Sequence, residues 1–285
     1  MKGKTVVITG GNAGIGKATA IALAKKGAEI VITSRSDDKA KAVIAEIKTA
    51  SGNEVISYVL VDLSSQKSVR KVAEELKIKC PKIDVLINNA GCYVSDLQLN
   101  VDGLEMQFAT NHIGHFLLTN LILDNVKAAG KARIINLSSI AHKSTRELKL
   151  DDINYEKEEY GGWKAYSRSK YCNILFTKEL AKRLEKDGIT VNAVHPGGVR
   201  TEIAEKNANW YTKLGWLLGK PFMITLEKGA ATSIHLASSP NAEGITGHYW
   251  VRSKQEWSNK PSQDETNWLA LWKKSEEIVG QEFSA

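Results

Sequence analysis

A chain of 285 residues, 42% of them hydrophobic, is long enough for one large α/β domain, and no Pro/Gly/Ser-rich linker or charge block divides it. Its net charge of +7, from 39 basic and 32 acidic residues, is spread along helices among glutamates, not gathered into a basic stripe with aromatics, which argues against nucleic acid as a partner. Three scattered cysteines (Cys80, Cys92, Cys172) exclude a disulfide framework and a zinc site, so no metal and a reducing, cytoplasmic setting are expected; the first strand pattern begins by Thr5, leaving no signal peptide, and no run approaches the ~18 apolar residues of a transmembrane segment.

Apolar strands alternate with amphipathic helices along the chain. A strand pattern over 5–8 is followed by the glycine run Gly10, Gly14, Gly16 and by a helix over 15–27. Next come a strand at 30–32 and a helix whose Ala40, Val43, Ile44 and Ile47 share one face. A third strand spans 55–61, and Val69, Val72, Ala73 and Leu76 repeat the helical spacing. Strands at 85–87, 134–135, 190–194 and 247–251 alternate with helices over 103–129, 163–186, 227–238 and about 263–279. This alternation predicts an α/β fold: a Rossmann-type, doubly wound parallel sheet of about seven strands with helices on both faces. The whole of 1–285 reads as one dinucleotide-binding and catalytic domain, with 203–226 as a substrate flap and 252–285 as a C-terminal extension.

Ligands of such sheets sit beyond the C-terminal strand ends, and the motifs fall there. The strand, glycine turn and helix N-terminus at 5–27 suit a pyrophosphate, because glycines admit the backbone close to the phosphates and the helix end offers unpaired N–H groups. The spacing is G-x-x-x-G-x-G, with Asn12, Ile15 and Lys17 inside or beside the loop. Tyr166 and Lys170 are four apart near the start of a predicted helix, so the phenol and the ammonium share a face, and the cation is expected to lower the phenol pKa. Ser138 and Ser139 follow the fifth strand; Asn89, Ala90 and Gly91 follow the fourth, where small residues leave room for a flat ring. Asn111 is a polar residue inside an apolar helix, and Pro196, Gly197, Val199 and Thr201 follow the sixth strand. Two further residues read as structural: Cys92 as a buried thiol and His195 as packing.

In this order the motifs resemble the short-chain dehydrogenase/reductase family, over about residues 4–251. The resemblance implies a nicotinamide cofactor, adenine contacts from Asp62 and Leu63, and a catalytic tetrad of Asn111, Ser139, Tyr166 and Lys170. Ser139 is preferred to Ser138 because the family's serine is usually the second of the pair. Lys170 is then expected to hold the nicotinamide ribose, and Asn111 to fix a water that links Lys170 to solvent. More narrowly, 133–142, 173–180, 195–201 and 247–250 resemble the retinol dehydrogenase-like subgroup. Many members of that subgroup carry an N-terminal hydrophobic anchor, and the residues before Thr5 lead to the expectation that none is present here.

The second strand ends in Thr33-Ser34-Arg35, with no acid to hold a ribose 2′-OH, so Arg35 predicts NADP(H) over NAD(H), with Lys17 adding charge. Asp37 and Asp38 are expected to sit at the positive end of the next helix. The expected substrate is a lipophilic alcohol, aldehyde or ketone, bound by Ser139 and by Trp210, Leu214 and Leu217 of the aromatic-rich flap. Peripheral membrane contact through that segment and homodimer formation are left open. A non-catalytic NADP(H)-binding sensor or scaffold on the same fold is the alternative, and retention of all four tetrad residues favours the enzyme.

Overall fold

The computed structural model describes residues 1–199 and 223–284. Eight strands form one sheet: β1 (Thr5–Ile8), β2 (Glu29–Ser34), β3 (Ile56–Leu60), β4 (Val85–Asn88), β5 (Arg133–Leu137), β6 (Thr190–His195), β7 (Tyr249–Val251) and β8 (Lys254–Glu256). Their order is β3-β2-β1-β4-β5-β6-β7-β8, parallel throughout except for the antiparallel β7–β8 pair. The chain reverses its direction of travel across the sheet between β1 and β4, and the crevice at that switch point is where such folds bind nucleotides.

The helices are α1 (Gly14–Lys25), α2 (Asp37–Ser51), α3 (Gln66–Lys79), α4 (Met106–Phe108), α5 (Gly114–Leu121), α6 (Leu123–Lys127), α7 (Gly162–Arg183), α8 (Leu226–Ser238) and α9 (Glu265–Val279). Successive strand residues point to opposite faces, so β1 divides its side chains between two cores. Val6 and Ile8 pack with Leu23 of α1, Val43 and Ile47 of α2 and Leu236 of α8. Val7 joins Leu76 of α3, Phe116 of α5 and Leu175 of α7. Burial on both faces explains why the strands read as continuous apolar runs. Asp37 and Asp38 lie in the first turn of α2, as expected, where Asp37 also accepts a hydrogen bond from Tyr58 and pairs with Lys41.

Two differences from the sequence reading matter for the site. The single helix expected over 103–129 is broken into α4, a π-helical turn at Ala109–Ile113, α5 and α6. Every residue from Gly114 to Asn120 is buried, so the segment has no polar stripe whose phase would betray the wider turn. Gly114 is required by close approach, since a Cβ there would overlap the Leu63 carbonyl oxygen. The second difference is β8. Arg252 (φ 49°) and Ser253 (φ 59°) both take left-handed backbone and close a two-residue hairpin. Lys254, Gln255 and Glu256 are exposed and carry no apolar alternation.

The extension at 252–285 is built into the core. Trp272 of α9 is buried with its ring centre 5.0 Å from that of Phe116, and the Arg183 guanidinium lies over the indole 4.0 Å from its ring centre. Ser275 of α9 also bonds the buried His112 Nε2 at 2.9 Å, one residue from Asn111.

Candidate active site

The glycine loop is shaped by contacts that a side chain would block. Gly10 (φ +63°) and Gly14 (φ +51°) use left-handed backbone. At Gly16 a Cβ would overlap the Gly10 carbonyl and stand 2.5 Å from Asn89 Nδ2. Residue 13, the N-cap of α1, is an alanine that makes no capping bond, and the first turn holds no acid. The first N–H groups of α1 are therefore left for an anion, together with the positive end of the helix dipole. Asn12 and Ile15 are half-buried in this loop. These features fit a dinucleotide pyrophosphate.

Thr9, which precedes the loop and was missed in the sequence, ties it to the next wall. Its Oγ1 accepts from Asn89 N (2.8 Å) and Ala90 N (3.0 Å) and pairs with His115 Nε2 at 2.8 Å. Asn89 Nδ2 donates to Thr9 O at 2.7 Å. Asn111 O can only accept, so His115 Nδ1–H donates to it at 3.1 Å, and Nε2 of the neutral ring accepts from the Thr9 hydroxyl, which also reaches Ile87 O at 3.4 Å. Burial lowers the His115 pKa to about 4, keeping it neutral.

Arg35 is exposed one residue beyond β2, and its charge is felt at the Cys92 thiol. Lys17, beside the loop, ion-pairs with Glu46 of α2 at 2.8 Å. Asp62 accepts from Ser64 N and Oγ, while Leu63 is buried beneath it. Beyond β6, Pro196 is half-buried and Gly197 (φ +93°) turns the chain against Ile224. Val199 pairs with Ile224 through an isolated bridge. His195 Nδ1 accepts from Ile140 N and Gly197 N, a structural role in keeping with expectation. Thr201, Trp210, Leu214 and Leu217, and with them most of the 203–226 flap, lie outside the described residues.

The remaining candidates gather beyond the ends of β4 and β5. Lys170, one turn after Tyr166 on α7, is buried, with Nζ 5.6 Å from the Tyr166 ring centre and donating to Leu137 O at 3.2 Å. A Cβ on Gly91 would stand 3.2 Å from Asn111 Oδ1 and 3.3 Å from Lys170 Nζ, so glycine leaves this corner open. The two serines divide their work. Ser138 is buried and its hydroxyl is spent on Lys170 O at 2.7 Å. Ser139 caps the following turn through Ala141 N and faces the Tyr166 phenol, favouring its ionised form. Asn111 is buried in the π turn, and its side chain is committed. Oδ1 accepts from Cys92 N (2.8 Å), and Nδ2 donates to Cys92 O (3.1 Å) and Ser169 Oγ (2.9 Å). It holds the Gly91–Cys92 turn in place.

The electrostatics also depart from expectation. Burial pushes the Tyr166 phenol up to about 12, and the Ser139 hydroxyl only partly offsets this. The Lys170 ammonium stands beside the ring instead of at the hydroxyl, so desolvation outweighs the cation. Lys170 itself is lowered to about 8 by burial. Burial also raises the half-buried Cys92 thiol to about 11, leaving it inert. Two aromatic neighbours of Tyr166, Tyr93 and Trp163, had no periodic signal in the sequence; each ring centre is 5.9 Å from that of Tyr166.

Residues 4–150 and 154–212 match the family model for short chain dehydrogenase. Human retinol dehydrogenase 13 is 40% identical over 284 residues, covering 98% of this chain and 86% of that protein. A crystal structure of a putative uncharacterized protein from Mycobacterium paratuberculosis is similar with a TM-score of 0.79 and 32% identity, over 99% of this chain and 95% of that one. The Pseudomonas aeruginosa RhlG/NADP active-site complex follows at a TM-score of 0.69 and 25% identity, over 87% and 94%. A glycine cradle at the sheet's switch point, a Tyr–Lys pair at the ends of β4 and β5, and kinship over nearly the full length agree: the chain belongs to the short-chain dehydrogenase family, among the retinol dehydrogenase-like oxidoreductases.

Proposed function

We propose that this chain is an NADP(H)-dependent oxidoreductase that interconverts a lipophilic alcohol and its aldehyde or ketone, with Tyr166 as general acid and base. The observation that supports this most is the meeting of Tyr166, Ser139 and a buried Lys170 beside the glycine cradle. NADP(H) is favoured over NAD(H) because Arg35, and no acid, stands directly after β2. Gly10, Gly14, Gly16 and the α1 N-terminus would hold the pyrophosphate, Arg35 the 2′-phosphate, Asp62 and Leu63 the adenine, and Asn89–Gly91 with Pro196, Gly197 and Val199 the nicotinamide end. When bound, the nicotinamide supplies the hydride for reduction and accepts it in oxidation.

The chain's own residues handle the proton. With its pKa at about 12, Tyr166 is a phenol at neutral pH and is poised to donate. Its hydroxyl proton passes to the substrate oxygen as negative charge develops there, and returns in the oxidative direction. Ser139 orients that oxygen and stabilises the phenolate left behind. Lys170 supplies fixed positive charge in a site of low dielectric, where it acts most strongly on the transition state. Asn111 keeps the Gly91–Cys92 wall in register with Lys170.

The relatives' name makes retinal the first carbonyl to try. The test is carbonyl-dependent oxidation of NADPH and NADH by the purified protein with retinal and a panel of lipophilic aldehydes and ketones. Faster loss of NADPH than of NADH is expected. Absence of carbonyl-dependent oxidation with either cofactor would overturn the proposal.

A further inference from the structure

Helix α5 is anchored by the apolar side chains of Phe116, Leu117 and Leu118, so its docking does not call for a polar ring. His115 nevertheless stands beside them in the interior, 2% exposed. Burying an imidazole costs free energy unless its nitrogens are hydrogen-bonded. Three histidines are buried among the described residues: His112, His115 and His142. His112 leaves Nδ1 without a hydrogen-bond partner and His142 leaves Nε2, whereas His115 uses both nitrogens.

Those two bonds reach two different parts of the cleft. Nε2 meets Thr9 Oγ1 at 2.8 Å, at the end of β1 and directly before the glycine loop; the same oxygen holds the amides of Asn89 and Ala90. Nδ1–H reaches Asn111 O in the π turn at 3.1 Å. From there the bonds continue toward the proposed proton donor. Asn111 Nδ2 donates to the buried Ser169 Oγ at 2.9 Å, and Ser169 Oγ donates to Tyr166 O at 2.8 Å. Thr9, His115, Asn111, Ser169 and Tyr166 therefore form one continuous hydrogen-bonded chain from the cofactor cradle to the backbone of Tyr166.

The surroundings keep this chain in one arrangement. Gly114, next to His115, lies so close to Leu63 O that a Cβ would overlap it, which fixes the start of α5 against the end of β3. The π turn gives up the regular α-helical ladder, so its shape depends more on bonds from side chains such as the one His115 makes to Asn111 O. Buried polar chains of this kind specify one geometry when each member is satisfied. We infer that His115 is a positioning residue for the proposed proton transfer: by joining Thr9 to Asn111 it fixes the turn of α7 that carries Tyr166 relative to the cofactor cradle. The inference rests on the readings of Tyr166 as proton donor and of the glycine loop as the cofactor's seat.

His115→Phe keeps a flat ring and loses both bonds. It should lower kcat for NADPH-dependent carbonyl reduction by about ten- to a hundredfold, the cost of a small misplacement of a reacting group, with the carbonyl KM and the NADPH affinity within about twofold of wild type. A ring that served packing alone would leave kcat per folded molecule unchanged. His115→Asn, whose amide can take the place of Nδ1, and His115→Gln, whose amide can take the place of Nε2, each keep one of the two bonds. Each should recover part of the lost kcat, and both carry the test if the phenylalanine variant does not fold. A second readout needs no turnover. Amide hydrogen exchange over 106–121, followed by mass spectrometry, should slow when NADPH binds the wild type and respond less in His115→Phe. Wild-type kcat in His115→Phe, or a loss confined to KM or NADPH affinity, overturns the inference and leaves the reductase reading intact. Protection by NADPH that His115→Phe loses, in a protein that reduces no carbonyl, supports the joining of cradle and turn and overturns the reductase reading. NADPH that protects 9–16 and leaves 106–121 unmoved in the wild type overturns the inference.

Discussion

The two sides of the cleft are built from different materials. On the side that fits a dinucleotide, the wall is made largely by backbone: glycines at 10, 14 and 16, the open end of α1, and a network from Thr9 to Asn89 and His115. On the other side of Tyr166 the wall is made by side chains on connecting segments: Tyr93 after β4 and Trp163 in the first turn of α7. Backbone recognition leaves little to vary, since any Cβ at Gly16 collides with its own fold. Side chains on a rigid wall can be exchanged singly, which lets one fold keep a cofactor while its substrates change.

Substitutions can break this division, and the largest effect lies where the two sides meet. Tyr166→Phe removes only a hydroxyl and should lower turnover by ~10²–10⁴, while cofactor affinity, measured by fluorescence titration, stays at the wild-type value. Gly16→Val should do the opposite. Cofactor affinity should fall by about a hundredfold or more, the cost of a clash worth roughly 3 kcal/mol, with aldehyde preference at saturating cofactor unchanged. Arg35→Asp sharpens the cofactor side alone. It should reverse NADPH over NADH selectivity by about ten- to a hundredfold, the worth of one charge-assisted contact, and unchanged selectivity would remove Arg35 from the site.

A last effect is on stability. Burial holds the Lys170 pKa at about 8 in the native state against 10.5 ordinarily. Between these two pH values the unfolded chain keeps a proton that the native protein has lost, so this lysine makes stability rise with pH across that window. Below it the buried charge costs stability in full. Lys170→Met should therefore abolish the rise and raise unfolding free energy at neutral pH by up to about 3 kcal/mol, while activity is lost. Urea titrations at neutral pH and above the window check both signs.

Much of the cofactor side was legible because its signals are local. The strand, glycine run and helix of 5–27 are contiguous, and Tyr166 and Lys170 are one helical turn apart. Ordered α/β alternation also carried the sheet, except for β8, whose Arg252–Ser253 turn lacks the usual Asn-Gly pair and whose strand has no apolar alternation. Features made by long-range packing were not legible. The π turn at Asn111 is hidden by burial on all sides, the pairing of Lys17 with Glu46 joins two helices, and the desolvation that reverses the expected pKa shift of Tyr166 exists only in the folded site. Trp163 and Tyr93 are 70 residues apart and follow no period, so their meeting at Tyr166 has no counterpart in the sequence pattern. Most of the substrate segment expected at 203–226 lies outside the described residues.

Isotope transfer tests the central claim most directly. NADPH carrying deuterium on its transferable position is incubated with the protein and retinal, and the alcohol is analysed by mass spectrometry. One deuterium on the former carbonyl carbon in wild type, with label transfer nearly lost in Tyr166→Phe although that variant still binds NADPH, is the predicted result. Alcohol formed without deuterium, or labelled alcohol at the wild-type rate from Tyr166→Phe, would contradict it.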